Sequence, residues 1–590
     1  MMRIFSLVFS LLLILSGCEN NSIENRNAQK VITAIDEGVN ISEINTLLEE
    51  QINFDYTDEL GFNIFLKALV EIKNVDFLNM LLEKDFDINN QIENGDTALL
   101  IALKNEMHFD FIKTLLSMGA DPNLCGKNGK SPLLVAVNND LEIVKLLIDF
   151  GPLDFFLKDE YGDTAMKKVL QYNQDLELIK VLTEYGRDEP YLNILVGDEY
   201  DRNENALFEA IQHNCSIEIL GYMLDRGISP NCQNEDGETP LHFLARTGQY
   251  SVSKVDIIER MNFLLDAGAR VNILDDNERS VFMQLAKWDS EFDFLKKIYD
   301  MNASVFYKDY LGNTAFHYAV EDKLSIPKID LFLSLGFDVN LKNDKKRNPL
   351  MYYLVKHEDV FVREDISSEI KKFISAGMNV NSRDLLGNSL LHFLCKNSNK
   401  IELIEYLLEN GANINITNNE KETALMISVL NIAGDSFWST HSKEIGKEIL
   451  TTPELANNIH IRDIFINPEE ISSDLILPIF LLEHGAKPNI TTLNGYSPLI
   501  MAAGFATDIN LVKVLISYGA DTDFLTPDKM NLFLTAVENQ SNPDVIKYLI
   551  DEGYSIPYEN EKGDTVLDLL KSNYNLRFNE ELQELLSTHL

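Results

Sequence analysis

Basic residues are scarce in this sequence: 51 lysines and arginines stand against 93 aspartates and glutamates, a formal net charge of −42 over 590 residues. Nucleic acid binding needs a basic stripe that displaces counterions from phosphates, and none stands out. The same deficit disfavours electrostatic docking of the folded body onto anionic lipid. Two readings of the acidity remain, solubility alone or recognition of a cationic partner. Catalytic signatures are missing as well. Neither G-x-S-x-G nor H-E-x-x-H occurs. The stretch Gly126-Lys127-Asn128-Gly129-Lys130-Ser131 mimics part of a phosphate loop, but Leu124 stands where its first glycine belongs. His441 and His460 lie nineteen residues apart, without the close pairing of a zinc site. No metal and no cofactor is expected. Beyond residue 18 no segment approaches eighteen uninterrupted apolar residues, so no spanning helix is expected in the body of the chain. Cysteine is limited to 5 residues. What is present, 45% hydrophobic and 24% charged residues, is the composition of a folded chain.

The N-terminus reads as a targeting signal. Arg3 supplies a positive start, and Ile4 to Leu15 form an apolar run broken only by Ser6 and Ser10. Twelve residues at 1.5 Å rise cover about 18 Å, short of a bilayer core of about 30 Å. A cleaved signal over residues 1–17 fits better. Leu15-Ser16-Gly17-Cys18 resembles the bacterial lipobox. That resemblance implies cleavage before Cys18 and acylation of Cys18, with several acyl chains as a firm anchor. The polar Glu19–Asn27 stretch then reads as part of an 18–27 tether. Glu19 after the cysteine points to the outer membrane or cell surface of a bacterial envelope.

Internal repetition governs the rest. Leu-Leu-x-x-Gly recurs at Leu115–Gly119, Leu264–Gly268, Leu407–Gly411 and Leu481–Gly485. Twelve residues after such a glycine comes a Thr, Ser or Asn opening an apolar step, as in the pairs Gly119/Ser131, Gly227/Thr239, Gly377/Ser389 and Gly553/Thr565. The period is mostly 33 or 34 residues. Thr or Ser suits a helix N-cap, and Pro is tolerated in the first turn. The i, i+1, i+4, i+5 pattern of Phe111-Ile112 and Leu115-Leu116 buries one stripe of a second helix. Glycine ends that helix, and the Asn and Asp behind it suit tight turns. One such unit cannot bury its own face, so units must stack.

Asp236-Gly237-Glu238-Thr239-Pro240-Leu241-His242 followed by Leu264-Leu265-Asp266-Ala267-Gly268-Ala269 closely resembles the ankyrin repeat. The resemblance implies an all-α solenoid of about fourteen helix-turn-helix units with hairpin-like fingers over residues 28–590. It also implies that His242, His317 and His392 bridge neighbouring turns and that protein partners bind, for which the concave helix and finger surface is the expected site; no catalysis is expected, because the catalytic motifs are missing and the repeats leave no spare chain for a catalytic domain. The leading glycine is replaced before Asn205, Ser280, Asn348 and Asn531. A disulfide is not expected among Cys125, Cys215, Cys232 and Cys395, because the repeat register separates them.

The register is interrupted most heavily near Asn431 to Asp474, where about forty residues are inserted between the two helices of one unit. The insert carries Phe437 and Trp438, one of 2 tryptophans in the chain. Aromatics on a long loop suit partner anchoring, and equally they could staple the insert to the array. The expected function is a membrane-anchored protein-binding scaffold. The alternatives are an inhibitor or immunity-type protein that masks a basic partner, and an activity housed in the insert.

Overall fold

In the computed structural model the described residues are 23–589 without 85, 139, 186–204, 249–252, 289–290, 358–365, 398–399, 434–471, 507 and 555–558. Among them the regular structure is helical, with no strand beyond isolated bridges. The chain divides into two compact units, Met1–Asn277 and Glu278–Leu590.

Each unit is built from the same local grammar. Ser497 sits in extended backbone and its hydroxyl accepts the N–H of Ile500, so the helix Pro498–Phe505 starts with one orphan donor satisfied and Pro in its first turn. After a short connection Ile509–Ser517 returns antiparallel and ends at Gly519, whose φ of +83° only glycine adopts without cost. The finger that follows runs to Asn531, which caps the next first helix, Leu532–Asn539, by accepting from Leu534. The degenerate positions work in the same way. Asn205 accepts from Leu207 and Phe208, Ser280 from Met283, and Asn348 from Met351.

First helices pack on first helices of adjacent repeats, as Pro498–Phe505 does on Ala424–Ala433 and Leu532–Asn539. Second helices pack behind them. The core is therefore distributed, one apolar layer per repeat interface. In the first unit Leu99, Leu115, Leu133, Leu147, Leu264 and Leu265 are buried. In the second unit the rings of Phe282, Phe316, Phe332, Phe337 and Phe373 interlock with centroids 4.9–6.2 Å apart.

Side chains also close the ends of first helices from the neighbouring repeat. Gln540 Nε2 donates to the carbonyls of Ala503 and Ala506 at 2.9 and 2.8 Å, and Asn573 Nδ2 donates to Val537 and Gln540 at 2.9 Å each. Asn431 does the same for Cys395 and Lys396. The helix that carries it continues to Ala433, so regular structure reaches into the first three residues of the sequence-defined insert.

Candidate functional site

The repeated fingers are the best-defined outward feature of each unit. Their construction starts from an Asx turn. Asp309 Oδ1 accepts the N–H groups of Leu311 and Asn313, and its own N–H donates to Asn313 O at 3.0 Å. Asp384 makes the same pattern with Leu386 and Asn388. Gly312 and Gly387 complete the turns at φ +74° and +82°. A Cβ at Gly312 would lie 2.8 Å from the backbone nitrogen of Asp344 in the next finger, so the fingers abut.

Adjacent tips are joined rung by rung. In the second unit Asp344 N donates to Leu311 O at 3.1 Å, Leu385 N to Lys345 O at 2.9 Å, Asn419 N to Leu386 O at 3.0 Å, and Leu493 N to Glu420 O at 2.9 Å. Pro527 occupies the donor position of the following finger and has no N–H to give. In the first unit Glu93 N meets Leu60 O at 2.7 Å and Glu160 N meets Asn128 O at 2.8 Å. Below the tips runs an asparagine ladder. Asn381 Nδ2 donates to Gly411 O at 2.8 Å while its Oδ1 accepts from Asn413 N at 2.7 Å, and Asn89, Asn123, Asn231, Asn340, Asn415 and Asn489 repeat the device. The sequence signal is Gly-x-x-x-Asn, as in Gly377–Asn381 and Gly411–Asn415.

What the fingers present differs from repeat to repeat. Tyr310 and Leu311, Leu385 and Leu386, and Leu493 project into solvent, with exposures of 59, 43, 54, 60 and 53%. Between them the tips carry Lys345 with Lys346, and Glu420 with Lys421, all exposed. Lys346, Lys421 and Lys529 stand where the apolar tips have glycine, and adopt φ of +56°, +60° and +57°.

Three ionisable groups, His317, His392 and Glu321, are tied to groups of neighbouring repeats. His317 Nδ1 faces the Thr314 hydroxyl at 2.9 Å and accepts from Thr314 N at 3.1 Å, while Nε2 lies 3.0 Å from Arg347 O in the next finger. A carbonyl opposite Nε2 assigns the proton to that nitrogen, and burial pushes the imidazole pKa down to about 4. His392 repeats the bridge to Glu422 O at 3.0 Å. Glu321 is half-enclosed by Lys287 at 2.7 Å, by Lys356, and by Tyr352 Oη at 3.3 Å. Burial works against its charge, but the two ammonium groups hold its carboxyl below the usual range. It ties three repeats together.

Gly126–Ser131 forms a finger and a cap, with Gly129 at φ +72° and Ser131 accepting from Leu134 N. Cys125, Cys215, Cys232 and Cys395 are free thiols, and burial pushes Cys215 up to about 11. Among the described residues no cluster of three His, Cys, Asp or Glu could hold a metal ion, and no helix is long and apolar enough to cross a membrane. Cys18, Phe437 and Trp438 lie outside the described residues, as do His441 and His460.

Comparison with known proteins follows the repeats. The family described as ankyrin repeats (3 copies) matches residues 66–159, 99–190, 360–437 and 473–569, ankyrin repeats (many copies) matches 207–255, and the single ankyrin repeat matches 236–276. An ankyrin repeat protein of Acanthamoeba polyphaga mimivirus is 24% identical over 400 residues, covering 63% of this chain and 49% of that protein. An ankyrin repeat protein of fowlpox virus is 28% identical over 185 residues, 29% of this chain and 49% of the relative. The human neurogenic locus notch homolog protein 1 is 26% identical over 204 residues, 34% of this chain and 8% of its own. The chain spans about half the length, or less, of these curated relatives.

Proposed function

Because this chain belongs to the ankyrin-repeat family, we propose that it is a non-catalytic, protein-binding scaffold held at a bacterial envelope by lipid on Cys18. The observation that carries the binding half is the fingertip row. Leu311, Leu385, Leu386 and Leu493 stand exposed at alternate fingertips of one row, an apolar surface that a partner can cover. Support for the anchor is the order Arg3, Ile4–Leu15 and Leu15-Ser16-Gly17-Cys18 in the sequence. The outer membrane or cell surface is the preferred site. Phe437 and Trp438 in the insert serve as further partner anchors in this reading.

Crosslinking and pull-down from intact membranes tests it. The wild-type chain should fractionate with membranes and capture protein, and Cys18→Ala should remain as unprocessed or mislocalised precursor. A Cys18→Ala chain that still partitions into the detergent phase as a shorter mature form would overturn the anchor. Absence of any specific protein capture would overturn the scaffold. The net charge of −42 favours a second reading, an inhibitor that masks a basic partner, and captured proteins of high isoelectric point would select it.

A further inference from the structure

The tips of the second unit alternate in chemistry. In register the tips read Tyr310-Leu311-Gly312, Asp344-Lys345-Lys346, Leu385-Leu386-Gly387, Asn419-Glu420-Lys421, Leu493-Asn494-Gly495 and Pro527-Asp528-Lys529. The backbone rungs from Leu311 to Leu493 place these tips side by side in that order. The cationic part is concentrated at one end. Lys308, Lys345, Lys346 and Arg383 are exposed, and the exposed acids of the same three fingers are Asp338 and Asp344. Asp309 and Asp384 are buried in their turns, and Asp384 lies 3.5 Å from Arg347. Towards the other end the positive charge is diluted by Glu420 and Asp528, and Lys529 reaches Glu561 at 4.0 Å. A chain of net charge −42 thus carries a locally cationic, apolar strip, which the overall composition conceals.

At the turn position that other tips fill with glycine, the second unit carries Glu278 at its start and then three lysines, Lys346, Lys421 and Lys529, all in left-handed backbone. A left-handed backbone at a residue with a Cβ is unfavourable, and such outliers cluster at binding and switch sites. At each of these tips glycine would complete the turn equally well. The ammonium group is what lysine adds.

We propose that this row, from Tyr310 to Leu493, binds an extended acidic segment of a partner protein. Its apolar side chains would cover Leu311, Leu385-Leu386 and Leu493, and its carboxylates would meet Lys345, Lys346 and Lys421. Repeats stack at about 10 Å, and an extended chain advances about 3.3 Å per residue. The partner motif therefore alternates an apolar and an acidic residue about three positions apart. The inference rests on the scaffold reading and adds the chemistry of the partner.

A displayed library of random linear peptides, selected on the purified chain and counted by sequencing, tests it. Enriched peptides should combine Asp or Glu with Leu, Ile or Phe at spacings of about three. Their binding should fall about tenfold in Leu386→Ser and in the double variant Lys346→Gly with Lys421→Gly. Glycine at those two positions relieves the backbone, so melting temperature should hold or rise, which separates lost recognition from lost fold. Binding should also weaken from 50 to 300 mM salt. Basic enriched peptides, enrichment insensitive to the fingertip variants, or no enrichment would each overturn the proposal. Protein capture from membranes that survives the fingertip variants would do so while leaving the scaffold reading intact.

Discussion

His317 shows how much one side chain in this array is asked to do. Its ring closes its own helix cap through Thr314 and reaches Arg347 O in the next repeat, both as the neutral tautomer. Folding lowers its pKa from the ordinary 6.5 to about 4, so between these values the unfolded chain binds the proton and the native chain does not. Stability is therefore complete above pH 6.5 and falls as the pH drops toward 4, by on the order of 3 kcal/mol at 1.36 kcal/mol per unit. Urea melts at pH 7 and pH 5 should show the second unit weakened at pH 5, and His317→Gln should shrink that difference. An unchanged pH dependence in the variant would mean that His392 or other groups carry it. Lys346 is the opposite case, a residue whose replacement by glycine should leave the fold unchanged or up to about 1 kcal/mol more stable, as read by thermal melting.

At the scale of elements the caps, the paired helices and the terminating glycines were all readable, because each depends on residues within one turn of chain. Thr239, Ser389 and Thr565 could be placed at helix starts from spacing alone, and so could the degenerate Asn205, Asn348 and Asn531. The asparagine ladder was only half readable. Asn123, Asn415 and Asn489 stood out as turn formers, but their partners are carbonyls about 30 to 70 residues away, in the next repeat. The tip rungs escaped for the same reason, since backbone-to-backbone bonds leave no residue signature. Basic character at the fingertips was hidden by the net charge, which sums over all faces. The local run Lys342-Lys345-Lys346-Arg347 was its trace in the sequence. Packing at this scale gives a firm expectation. Leu264 and Leu265 are both buried, so Leu265→Ala should cost about 2–5 kcal/mol by opening a cavity. Unchanged melting would remove Leu265 from the inter-repeat core. The insert gives another expectation. Ala424–Ala433 and Ile476–Glu483 supply both helices of their unit without it. Replacing residues 434–471 of the Asn431–Asp474 insert by a short linker should therefore keep the melt and weaken partner capture; full capture would assign Phe437 and Trp438 no binding role, and collapse of the fold would make the insert a structural staple.

For the molecule as a whole, charge and topology pull salt dependence in two directions. An excess of acids over bases of this size repels itself in the compact state, and added salt screens that repulsion. The effect is distributed over both units, because carboxylates populate the helix surfaces of each. Raising NaCl from 20 to 300 mM should then raise the melting temperature of the array. Interfaces between repeats act only on neighbours, so the gain should appear as a shift of a broad, stepwise transition rather than as one sharp step. At the fingertip row the sign reverses. There the proposed attraction is between Lys345, Lys346 and Lys421 and a partner's carboxylates, and salt screens attraction instead. Stability and partner affinity should accordingly move apart along one salt series, the first rising while the second falls. Calorimetry and peptide titration on the same preparation read both quantities. If affinity rose together with stability, recognition would have to be apolar alone, and the lysines at the tips would need another explanation.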